Sequence, residues 1–138
     1  MNTKIYKRVH SLAESLMKAA QKKDQVTFDA LYAELEKICL EHEGQEKDHP
    51  VQWETLADFT DDIAQAADLY KKALVKAEAI PSADFCSSIR FSLANMLIEL
   101  GKTEEAIEVL REAKVVSSNI EDKSLKNEIH DLLQSLIN

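Results

Sequence analysis

The sequence predicts an all-α protein of seven helices, on three observations. Apolar residues recur at close to 3.6-residue spacing along most of the chain, and no segment shows the period of two expected of a half-buried strand. Only two glycines and two prolines interrupt 138 residues, which favours long helices over many short strands. Apolar side chains make up 45% of the chain, enough to build a core.

The first helix is expected at 3–21, with Ile5, Val9, Leu12, Leu16 and Ala20 along one side. Lys22 and Lys23 break it, and Asp24 is placed to cap a second helix at 25–42, which carries Phe28, Leu31, Leu35, Ile38 and Cys39. The longest polar run, EHEGQEKDHP, follows with Gly44 and Pro50 as punctuation. It reads as a loop, and as the place where a flexible link would fall.

Pro50 suits the first turn of a third helix ending near Thr60. Asp61 and Asp62 open a fourth, through Ile63, Ala66, Leu69, Tyr70, Ala73, Leu74 and Ala77, and Pro81 stops it. Ser82 is a natural cap for a fifth helix at about 83–100. Gly101 ends that helix, and Thr103 is expected to cap a sixth at about 104–117. Asn119 and Asp122 read as a capping pair ahead of a last amphipathic helix, 121–137, carrying Leu125, Ile129, Leu132, Leu133 and Leu136.

A pattern spans the fifth and sixth helices: Arg90-x2-Leu93-Ala94-x2-Leu97, then Gly101, then Ala106-x3-Leu110-x2-Ala113. Small residues stand where two helices must approach closely, and larger ones fill the space around them. Upstream, Trp53-x2-Leu56-Ala57-x2-Thr60 and Ala66-x3-Tyr70-x2-Ala73 repeat it, but Trp53 to Ala66 is 13 positions against 16 from Arg90 to Ala106. A turn shortened by three is the expected cause. The pattern resembles the tetratricopeptide repeat, with Arg90 in an aromatic position and Ser118 in the proline position. The 40 residues from Ala66 to Ala106 exceed the usual repeat of about 34, as in the family's long-helix variant. The match is best over 50–120; a first unit shows only as Leu12-Ala13-x2-Leu16.

The resemblance implies one domain over 1–138: three helical hairpins and a closing helix, stacked as an α-α superhelix. It also implies a protein- or peptide-binding role. The first helix of each pair lines the groove in this family, so the ungapped unit would present Ser88, Phe91, Asn95, Ile98 and Glu99. Asn95 matches members that clamp a terminal carboxylate, but Phe91 stands where their lysine would be, and no such clamp is expected. Phe91 and Ile98 offer an apolar strip, either for a partner helix or for the chain's own last helix to cover.

Charge is unevenly placed. Residues 1–23 carry Lys4, Lys7, Arg8, Lys18, Lys22 and Lys23 against Glu14, a balance of +5, whereas residues 24–70 carry thirteen acids against Lys37 and Lys47, a balance of −11. The whole chain is −8. The acidic middle argues against nucleic acid, whose phosphates require Lys and Arg. It favours a partner with a basic contact surface, steered by Glu41, Glu43, Glu46, Asp48, Asp58, Asp61 and Asp62.

No apolar run reaches the ~20 residues of a membrane span, and the basic amino terminus lacks the apolar core of a secretory signal, so a cytoplasmic protein is expected. Cys39 and Cys86 lie in apolar helical patterns and read first as buried free thiols, with a disulfide or a reactive thiol as alternatives. Two isolated glycines cannot form a phosphate loop, and no nucleophile–base signature is present. Glu41, His42, Glu43, Glu46, Asp48 and His49 are the right ligand types for zinc, but their spacing matches no helical ligand motif. No enzyme, metal or cofactor is expected. A non-catalytic adaptor is the first expectation, an acidic immunity-like inhibitor of a basic enzyme the second, and an end-to-end homo-oligomer the third.

Overall fold

Seven α-helices and no strand make up the described residues, 3–138, of the computed structural model. They are α1 (Thr3–Gln21), α2 (Gln25–His42), α3 (Pro50–Asp58), α4 (Ile63–Glu78), α5 (Ala83–Glu99), α6 (Thr103–Ser117) and α7 (Lys123–Ile137). Each packs against its neighbour in the chain. In addition α1 touches α3, α3 touches α5 and α5 touches α7, while no Cα pair between α2 and α4 or between α4 and α6 comes within 8 Å. The odd helices therefore form one connected row, with the even helices on the other side. One continuous core links them, from Leu12 and Leu16 of α1 through Trp53, Tyr70 and Leu97 to Ile129 and Leu133 of α7.

Capping chemistry sets the helix ends. Asp24, Asp62, Ser82 and Asp122 each accept a hydrogen bond from the backbone N–H three residues on. Pro50 occupies the first turn of α3, and the His49 ring nitrogen Nδ1 accepts from Val51 N at 3.1 Å. The expected Thr103 cap is not formed: Thr103 is the first residue of α6, and Lys102 holds the cap position with no side-chain bond. The cause lies in the turn before it. Gly101 adopts φ 76°, Gly101 N bonds Ile98 O at 3.0 Å, and Lys102 N bonds Leu97 O at 2.8 Å. This Schellman closure of α5 leaves only Lys102 to start α6.

The α1–α2 turn repeats that geometry, with Lys23 N to Ala20 O at 3.2 Å and Asp24 N to Ala19 O at 2.9 Å, but the left-handed position is Lys23, φ 58°. One turn thus has the right residue for positive φ and no cap; the other has the cap and a strained lysine. Lys23→Gly is expected to stabilise the protein by about 0.5–1 kcal/mol. Lys102→Asp is expected to add about as much. Thermal melts of the two variants and their combination check both, and unchanged melting would contradict the assignment.

The three-residue deficit between the two repeat-like units lies in a helix, not in a shortened turn. The α3–α4 connection, 59–62, is one residue longer than the α5–α6 connection, 100–102, and α3 has 9 residues against 17 in α5. Thr60 falls outside α3, where its hydroxyl donates to Leu56 O at 2.7 Å. Ala94, Ala106 and Ala113 are each fully buried in the closely packed α5–α6 pair. Leu at position 94 or 106 should overpack that contact and lower stability by about 1–3 kcal/mol in chemical denaturation. Arg90, in the aromatic position, is 7% exposed and lies 3.6 Å from both Glu78 and Glu112 carboxylates.

The polar run after α2 is not a flexible link. Asp48 Oδ2 accepts from Gly44 N at 2.8 Å and from Lys76 Nζ on α4 at 2.6 Å, while its Oδ1 accepts from the Trp53 indole N–H at 2.7 Å. Gln52 Nε2 donates to Lys47 O at 3.0 Å, and Lys72 and Lys76 lie 4.4 and 5.2 Å from the Trp53 ring centroid. Gly44 takes φ 75° at the start of this turn. Backbone, indole and ammonium groups converge on one carboxylate.

Candidate functional site

The row of odd helices carries a cleft of about 360 Å³ between α3, α5 and α7. Glu54 of α3, Asp84, Phe85 and Ser88 of α5, and Asp122, Leu125 and Glu128 at the start of α7 line it, and no lining residue is basic. Ser88 Oγ donates to Glu54 Oε2 at 2.7 Å, joining α5 to α3. Burial pushes the Glu54 carboxyl up to about 7; the Ser88 hydrogen bond opposes this and the Asp58 charge reinforces it. Asp58, one turn further along α3, accepts from Tyr70 Oη at 2.5 Å. Burial also raises the Asp58 carboxyl, against that hydrogen bond. Two carboxyls on one helix edge are thus held where ionisation is unfavourable, and Asp84, Asp122 and Glu128 join Glu54 around the cleft. The arrangement suits a cation.

Of the residues expected to line a groove, Ser88 is in this cleft. Phe91, Asn95 and Ile98 lie half-buried along α5, and Glu99 is exposed. Asn95 Nδ2 donates to its own helix at Phe91 O, 3.0 Å away. α7 packs on α6 and touches α5, with Ile129 and Leu133 buried, and it leaves the strip partly accessible. Glu54 follows Trp53 as Phe91 follows Arg90, so repeat spacing pairs it with a residue expected to line the groove. No spacing signal marks Asp84, Asp122 or Glu128, and only the placement of α7 brings the last two to the site.

The seven acids expected to steer a partner are differently occupied. Asp48 is held by Trp53, Gly44 and Lys76; Asp58 by Tyr70; Asp62 caps α4. Glu41 pairs with Lys37 at 3.8 Å and Glu43 with Lys72 at 2.5 Å. Glu46 and Asp61 are exposed and outside any ion pair.

Among the described residues, no group of three or more His, Cys, Asp or Glu is placed to hold a metal ion. His49 instead packs edge-on against Phe85 at 5.1 Å, and burial holds its imidazole below its ordinary value. Both cysteines are free and buried. The Cys39 thiol donates to Gln52 O at 3.3 Å and is pushed up to about 12 by burial, so it stays protonated and unreactive near neutral pH. No helix among the described residues is long and apolar enough to cross a membrane. No family model, curated protein or solved structure matches this chain.

Proposed function

We propose that this chain is a tetratricopeptide-like helical stack that acts without catalysis, binding a basic segment of another protein in the cleft between α3, α5 and α7. The observation that carries the reading is that cleft: acidic side chains from three helices, no cation among them, and a Glu54 carboxyl pushed up to about 7. A ligand ammonium or guanidinium at Glu54 would restore the charged form that burial disfavours. The two rows of helices and the repeated α1–α2 and α5–α6 turns support the stack.

The test uses extended 12-residue peptides bearing Lys or Arg at every third position, and matched peptides with Gln or Glu there. Calorimetry at about pH 7 in buffers of different ionisation enthalpy should show binding of the basic peptides only, with release of a fraction of a proton as Glu54 ionises. Glu54→Gln should weaken binding about tenfold and abolish the proton release. Equal binding of the Gln peptides, or proton release that survives Glu54→Gln, removes the reading. An acidic inhibitor that covers a basic protein is the second reading, favoured by the exposed, unpaired Glu46 and Asp61.

A further inference from the structure

The even helices carry a second concavity with a different character. α2 and α4 stay apart, and the furrow between them has an aromatic floor. Phe28 and Tyr32 stand one turn apart on α2, and Phe59 reaches in from the end of α3; all three are half-buried. Phe28 and Phe59 meet edge to face at 6.3 Å between centroids. Tyr32 Oη lies 2.7 Å from Thr60 Oγ1, and because Thr60 already donates to Leu56 O, the tyrosine is the donor. Two hollows of about 290 and 320 Å³ open over this floor and share Tyr32 and Gln65, so they form one continuous furrow.

Its rims are acidic. Asp29 and Glu36 stand on α2, and Asp61, Asp62 and Asp68 at and along the start of α4. No residue lining these two hollows is basic. Three nearby lysines are engaged elsewhere, Lys37 with Glu41, Lys71 with Glu105 and Lys72 with Glu43, while Lys23 stands at the end of the furrow, in a further hollow that shares Phe28 and Asp61. Glu36, Asp61 and Asp68 are exposed and outside any ion pair.

We propose that the α2–α4 furrow docks a helical segment of a partner protein whose apolar stripe is flanked by Lys or Arg. A gap between two separated helices accepts a third helix, and an aromatic floor accepts an apolar stripe. The carboxylates on both rims complement cations on both flanks of that stripe, and the aromatic faces add cation–π attraction. An extended strand would find no edge to pair with here, and the phosphates of a nucleic acid would meet carboxylates on both rims and no cation in either hollow. Phe28 to Glu36 spans two turns of α2, about 12 Å, so roughly three turns of a partner helix would cover the site. This inference stands apart from the odd-row cleft and does not depend on it.

The probe is an 18-residue helical peptide with Leu at i, i+3, i+4 and i+7 and Lys on both flanks, labelled for fluorescence anisotropy with the full chain. It should bind saturably at one per chain. The same peptide with Glu for Lys, or with Ser for Leu, should bind at least tenfold more weakly. Asp29→Lys combined with Asp68→Lys, both at exposed positions, should weaken the parent peptide at least tenfold while the circular-dichroism melt stays cooperative and helical. The extended basic peptide offered to the odd-row cleft should not compete. Three results overturn the inference: equal affinity for the Ser peptide, an unchanged affinity in the double-lysine variant, or full competition by the extended peptide. Self-association of the parent by light scattering that the double-lysine variant abolishes would assign the furrow to a second copy, and also overturns it.

Discussion

Asp48→Ala is expected to lower the free energy of unfolding by on the order of 3–5 kcal/mol, although its position lies in the most polar stretch of the chain. The carboxylate is nearly buried, with 8% of its side chain exposed, and the Lys76 side chain is 17% exposed. Removing it strands the Lys76 ammonium, leaves the Trp53 indole N–H unpaired and frees Gly44 N, so one substitution orphans three donors. Burial alone would push the carboxyl up, but the hydrogen bonds from Lys76, Gly44 and Trp53 outweigh it and hold the group below its ordinary value of 3.8. A depressed carboxyl contributes stability that is present above pH 3.8 and lost as pH falls through the depressed value. The Asp48→Ala deficit should therefore be full at about pH 7 and narrow in strong acid. Asp48→Asn keeps an acceptor for the indole and loses the charge, and should lose about 1–3 kcal/mol. Adding Lys76→Met to Asp48→Ala should recover part of the loss, because it removes the stranded charge; urea denaturation of the parent, Asp48→Ala, Lys76→Met and the double variant measures the coupling. A deficit below about 1 kcal/mol for Asp48→Ala would mean that the turn is held by something else.

That same turn shows where sequence reading stops. Most helix ends were legible because they depend on local chemistry: Asp24, Asp62 and Ser82 cap and Pro81 and Gly101 break, while of the expected Asn119–Asp122 pair only Asp122 caps α7. The order of residues 43–49 was not legible, because Asp48 finds Lys76 at a separation of 28 residues and no local pattern announces it. Thr103 is a better intrinsic cap than Lys102, yet the positive φ at Gly101 determines which residue follows the turn. In the candidate cleft, Ser88 was readable from repeat spacing, and Glu54 stands one unit earlier in the register of Phe91. Asp122 and Glu128 join them only because α7 returns beside α5. The furrow's aromatic floor was hidden for a related reason. Sequence places Phe28 among the apolar residues of α2, and only the separation of α2 from α4 leaves it half-open.

Glu54→Gln is expected to stabilise the folded protein at about pH 8 while it weakens the binding of a basic ligand. Burial raises the folded-state carboxyl from 4.5 to about 7, so the folded chain binds more protons than the unfolded chain between those values. Stability therefore falls as pH rises through this window, and the full penalty is present above it. At about 1.4 kcal/mol per pH unit, the shift amounts to on the order of 3–4 kcal/mol. Glutamine carries no charge, keeps an oxygen to accept from Ser88 Oγ and removes the charge repulsion with Asp58. The variant should melt higher than the parent at pH 8 and close to it at pH 4.5, where the parent's Glu54 is protonated in the folded state. His49 acts in the opposite sense: its imidazole is lowered from 6.5 by burial, so its contribution is full above that value and declines as pH falls below it. The difference between parent and Glu54→Gln isolates the carboxyl because His49 is common to both. A residue retained only for the fold should not be more stable when neutralised. A gain in stability together with a loss of basic-peptide affinity would identify Glu54 as held in an unfavourable state for its ligand. A loss of stability at pH 8 would show that the Ser88–Glu54 contact is structural, and the cleft would lose its strongest claim to being a site.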